Sequence, residues 1–74
     1  MEASRVQTVY IELLGEGVDV WRPLQAEPES PAIFRLPPTA PSGETWRFPP
    51  GSRVLCETRQ LSGGPALVAV ELAP

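Results

Sequence analysis

Residues 46–54 read Trp-Arg-Phe-Pro-Pro-Gly-Ser-Arg-Val. Trp46 and Phe48 are two positions apart, so in an extended chain their side chains share one face, while Arg47 points the other way. Pro50 and Gly51 have the chemistry of a type II turn: proline presets φ at the first central position, and glycine accepts the positive φ of the second. A new strand is expected from Arg53 or Val54. The stretch therefore predicts the end of one strand, a reversal and the start of the next, with two aromatics anchored in a core.

The segments on either side read as strands too. Residues 5–14, Arg-Val-Gln-Thr-Val-Tyr-Ile-Glu-Leu-Leu, are rich in β-branched and aromatic types. Val9, Ile11 and Leu13 form the face expected inward. Gly15-Glu16-Gly17 is expected to be a short hairpin connection. Residues 18–26 make the second strand, with Val18, Val20, Leu24 and Ala26 on one face together with Arg22. Pro23 has no N–H to give to a ladder, which places this strand at an edge or at a bulge. A turn is expected at 27–31 and a short third strand at 32–36. Residues 37–44, Pro-Pro-Thr-Ala-Pro-Ser-Gly-Glu, form an exposed Pro-rich loop. The fourth strand covers 45–48 and the fifth 53–61. After a turn at Ser62-Gly63-Gly64, the last strand covers 65–72, with Val68, Val70 and Leu72 inward.

No segment shows a helical period. Ten prolines and six glycines in 74 residues argue against long helices. Short strands in one small domain need closure, because an open sheet leaves two edges unpaired. The sequence thus predicts one all-β domain over residues 1–74, a five- to six-stranded antiparallel, partly open SH3-like barrel.

Composition removes most chemistry. Histidine and lysine are absent, so no Ser-His-Asp, Cys-His or Ser-Lys arrangement exists. One cysteine without histidine leaves no zinc site, and no phosphate-binding glycine loop is present. The expectation is a protein that is not an enzyme and carries no cofactor. Glu12, Glu16 and Asp19 flank the first hairpin, but their spacing fits no calcium loop. Cys56 alternates with core positions and reads as a small buried hydrophobe. The first residues lack a secretory pattern, no apolar run approaches a membrane span, and no internal disulfide can form, so a cytoplasmic location is expected. A net charge of −3 argues against nucleic acid unless the arginines gather on one face.

Three segments carry a resemblance: Val20-Trp21-Arg22-Pro23, Trp46-x-Phe48-x-Pro50-Gly51-x-x-Val54, and Leu67-Val68-Ala69-Val70-Glu71-Leu72. Together they resemble a group of short bacterial proteins classed as hypothetical. The resemblance implies a small barrel across nearly the whole chain and brings no catalytic motif.

The second strand is the anomaly. Val20 and Leu24 make one face apolar, and Trp21 and Pro23 make the other apolar. A small barrel has one interior, so something else must cover the second face: the 37–44 loop, another copy of the chain, or a ligand. An exposed Trp-Pro patch is typical of interaction sites. The candidate partner surface is therefore Trp21, Pro23, Tyr10 and Arg22, with a protein partner or a homodimer as occupant. Arg22 is expected to reach past the rim or to pair with Glu12 or Glu71 across strands. The competing reading is a nucleic-acid-binding barrel using Arg22, Arg35, Arg47, Arg53 and Arg59.

Overall fold

The computed structural model describes residues 6–15 and 20–74. Glu16, Gly17, Val18 and Asp19, named above for the first hairpin and its charges, lie outside the described residues. Five strands form one closed barrel in chain order: β1 (Gln7–Leu13), β2 (Val20–Pro28), β3 (Ile33–Arg35), β4 (Arg53–Leu61) and β5 (Gly64–Leu72). No helix occurs among the described residues. The architecture is the all-β, SH3-like small barrel.

Each consecutive strand pair is antiparallel, and the closing pair is not: Val9 pairs with Leu67 and Tyr10 with Val68 in parallel. The purely antiparallel expectation fails for a simple reason. In a meander of five strands the first and last run the same way, so an odd ring must contain one parallel contact.

The expected inward face of β1 is correct, with Val9 and Ile11 fully buried and Leu13 nearly so. They pack with Leu24, Ala26, Phe34, Leu36, Trp46, Phe48, Val54, Cys56 and Ala69 in one core cluster. β2 runs two residues further than expected, to Pro28, which shortens the following turn. On β5 the expected face is wrong already at Val68, because Leu67 and Ala69 pack with the core cluster and Val68 does not belong to it. Ala69 is buried and Leu72 is exposed. The ladder shifts between Leu55 and Cys56, whose partners are Glu71 and Ala69. Val70 is the extra residue of a bulge, and a bulge reverses the inward parity along a strand.

Residues 45–48 do not form a strand. Trp46 makes a single bridge to Leu13, supported by Leu14 N–H donating to Thr45 C=O at 2.8 Å and Arg47 N–H to Glu12 C=O at 2.9 Å. The type II turn is present: Ser52 N–H donates to Pro49 C=O at 3.2 Å, and Gly51 has φ +80°. It does not, however, join two strands. Leu36 N–H donates to Ser52 C=O at 2.9 Å and Gly51 N–H to Pro37 C=O at 2.7 Å, which prolongs the β3–β4 ladder. Residues 38–50 are thus an excursion from that hairpin. It crosses to β1 and inserts Trp46 and Phe48 into the barrel, while Arg47 stays outside, 5.0 Å from the Phe48 ring centre.

Candidate functional site

β2 joins β3 only through Glu27–Arg35 and Pro28–Phe34. Residues 20–26 of β2 pair with β1 alone among the described residues, so their other edge is open. Glu29 N–H donates to Ile33 C=O at 2.8 Å, which shows that odd-numbered residues direct their backbone groups toward the β3 side. By strand alternation, Trp21, Pro23 and Gln25 present theirs at the open edge. Pro23 therefore removes the central donor of that edge. Proline at such a place is a known protection against strand addition.

The side chains, not the edge, form the site. Trp21 and Tyr10 are half-buried, and both line a groove of about 880 Å³. Thr8, Leu61, Pro65 and Ala66 complete its walls, so the tip of the β4–β5 hairpin stands on one side of Trp21. A second depression of about 480 Å³ adjoins it and shares Trp21, Leu61 and Ser62, adding Arg59, Gln60 and Val68. Val68 is buried although it does not belong to the core cluster. The outer side of the sheet thus has a small apolar centre of its own, with Trp21 beside it. The indole N–H of Trp46 is used, donating to Glu44 at 3.1 Å. The indole N–H of Trp21 meets no acceptor among the described residues.

Of the four residues picked from sequence, Trp21 and Tyr10 come together in this groove. Pro23 is exposed beside them but is not a wall residue. Arg22 belongs elsewhere, and neither expected partner holds it. Its guanidinium donates to the carboxylate of Glu44 at the end of the 37–44 loop. Arg22 shares its face with buried Leu24, and the loop closes over that side, so the charge finds its counter-ion there. Of the three coverings open for Trp21, the 37–44 loop is not the one beside it, since no residue of 37–44 lines either depression there. The hairpin tip was missed as a wall. Two glycines and a proline at 63–65 signal a turn but not what it stands against.

The acidic residues act as counter-ions. Glu44 is held below the usual carboxylate range, first by the Trp46 hydrogen bond and then by Arg22, against the opposing effect of burial. Glu29 is lowered by Arg53 first and Arg35 second. Those two arginines stand directly opposite on β3 and β4, so Glu29 relieves a like-charge pair. Glu12 faces Arg47 at 3.7 Å, and Glu57 faces Arg59 at 3.1 Å. Among the described residues, no cluster of His, Cys, Asp or Glu could hold a metal ion, and no helix is long and apolar enough to cross a membrane. Burial pushes the Cys56 thiol up to about 11.

No family model, no curated protein and no solved structure matches the chain. These comparisons neither support nor overturn the resemblance carried by residues 20–23, 46–54 and 67–72.

Proposed function

We propose that this chain is a cytoplasmic, non-enzymatic interaction module that binds an extended, proline-bearing protein segment in the Tyr10–Trp21 groove. The observation that carries the reading is the distribution of the aromatics. Phe34, Trp46 and Phe48 are spent in the core, and the two that remain, Tyr10 and Trp21, line one groove. Aromatic-lined grooves suit proline-rich segments, whose extended form is preset and whose carbonyls are unpaired. The indole N–H of Trp21, which has no acceptor among the described residues, is a donor for such a carbonyl. The non-enzymatic part is supported by side-chain chemistry: the one thiol is buried and protonated at neutral pH, and no general base of the histidine or lysine type exists. A buried free cysteine also suits a reducing compartment.

The nucleic-acid reading is weaker on the same grounds. Arg22, Arg35, Arg47, Arg53 and Arg59 each have a carboxylate partner, so no uncompensated basic face gathers from them. The test is titration with a synthetic proline-rich peptide while following tryptophan emission and backbone amide shifts. Binding should move the amides of Tyr10, Trp21 and Ser62 and should vanish in Trp21→Ala with the circular dichroism spectrum kept. Shifts confined to the arginine-bearing strands on adding single-stranded DNA at low salt would favour the other reading.

A further inference from the structure

We infer that the proline-bearing segment is supplied by a second copy of this chain, through residues 37–41, so that the protein associates loop into groove. This rests on the groove reading above. The chain itself displays the ligand that such a groove takes. Residues 37–41 read Pro-Pro-Thr-Ala-Pro, and Pro38, Thr39 and Pro41 are exposed. Proline fixes its own φ near −65°, and each residue before a proline is pushed to the extended region. Leu36, Pro37 and Ala40 all precede prolines, so steric rules bias these three residues toward the extended region, and the segment bends once, at Pro38.

The fold then holds this segment in place. At its start, Pro37 C=O accepts from Gly51 N–H at 2.7 Å. At its end, Pro41 C=O accepts from Glu44 N–H at 3.2 Å, and the Glu44 side chain is tied to Arg22 and to the Trp46 indole. Ordering a flexible peptide on binding costs free energy, and a segment already fixed at both ends avoids most of that cost. The tethered segment does not reach its own groove: none of its residues lines the depressions beside Trp21, while Pro37 and Pro38 line a separate one with Leu36 and Gly51. Donor and acceptor surfaces on one molecule are therefore different patches. The contact closes as a reciprocal two-fold pair where both patches meet the same neighbour, and runs on to rings or filaments where they meet different ones. Edge pairing of β2 is the alternative route to association, and Pro23 obstructs it.

The experiment uses sedimentation velocity on three full-length proteins: wild type, Trp21→Ala (groove lost) and Pro38→Ala/Pro41→Ala (ligand segment lost). Wild type should gain mass with concentration, to the dimer or beyond. Each variant alone should stay at the monomer mass. An equimolar mixture of the two variants should form a 1:1 pair and stop there, because only one intact contact remains. A synthetic peptide of residues 36–44 should return wild-type assemblies to monomer, a readout that needs no variant to fold. A wild type that stays monomeric to about millimolar concentration, or association indifferent to both variants and the peptide, overturns the inference. If wild type stays monomeric while an unrelated proline-rich peptide still binds at Trp21, the groove reading stands and only the self-association fails. If neither occurs, both fail.

Discussion

Arg22 and Glu44 form an ion pair that ties the second strand to the far end of the Pro-rich loop. The same carboxylate accepts from the Trp46 indole, so one acid holds a strand, a loop and a core aromatic together. Its neighbour in kind is Glu29, shared by Arg35 and Arg53.

These two acids make stability depend on pH in a stated direction. Both have folded-state pKa values below their ordinary value of 4.5. A group lowered on folding stabilises fully above its unfolded pKa, and that contribution disappears as pH falls through the folded pKa. The melting temperature should therefore be flat above the carboxylate range and fall on acidification below about 4.5. Glu44→Gln and Glu29→Gln should each lower the neutral melting temperature and flatten the acid decline. Thermal melts followed by circular dichroism between pH 7 and pH 2 measure both effects.

Gly51→Ala should cost about 1–2 kcal/mol, the penalty for holding a residue with a Cβ in the left-handed region. Space is not the cause, because the added carbon would meet Pro38 Cα at an ordinary 3.8 Å. Gly63→Ala is the matched comparison: Gly63 is not among the positive-φ glycines, and an added Cβ would meet nothing within 4 Å. Urea unfolding of the two variants should separate them by that difference.

Pro23→Val should restore the missing donor at the open edge of β2. The expected result is concentration-dependent association by strand pairing, seen in static light scattering, that a peptide of residues 36–44 does not reverse. A Pro23→Val protein that the 36–44 peptide returns fully to monomer would show that the edge is protected by something besides proline.

Cys56 should resist a disulfide thiol reagent at pH 8 in the native protein and react fully in urea. Burial and a thiol pKa of about 11 both suppress the thiolate that such reagents need. The native rate should then follow the unfolding equilibrium, and Ile11→Ala should speed it. Ile11 is fully buried, and truncating such a residue costs about 2–5 kcal/mol.

Local rules are legible in this sequence, and long-range arrangements are not. The alternation of Val9, Ile11 and Leu13 and the proline–glycine turn at 50–51 depend on neighbours only, and both were readable. Trp46 and Phe48 were correctly placed inside, but their segment was misread as a strand. Hydrophobic alternation reports which side is buried and not whether a backbone partner runs alongside. The inward face of β5 is misplaced at Val68 because the bulge at Val70 shifts the parity between Leu72, opposite Val54, and Ala69, and no glycine or proline marks it. For the site, Trp21 stands out because a doubly apolar strand is costly unless covered, and Tyr10 because it is one of only five aromatics. The hairpin tip beside them, and Glu44 opposite Arg22, depend on tertiary closure that no local pattern encodes.

The parallel contact of Val9 and Tyr10 with Leu67 and Val68 also fixes an order in time. Synthesis delivers β1 well before β5, its closing neighbour. A nascent chain can form the β1–β2 hairpin early, yet the ring cannot shut until β5 has left the ribosome. Until then the inner faces of β1 to β4 are wet and open to wrong partners. Closure of the barrel therefore waits on β5, and a chain cut before β5 should leave an unclosed, aggregation-prone half-shell and not a smaller barrel.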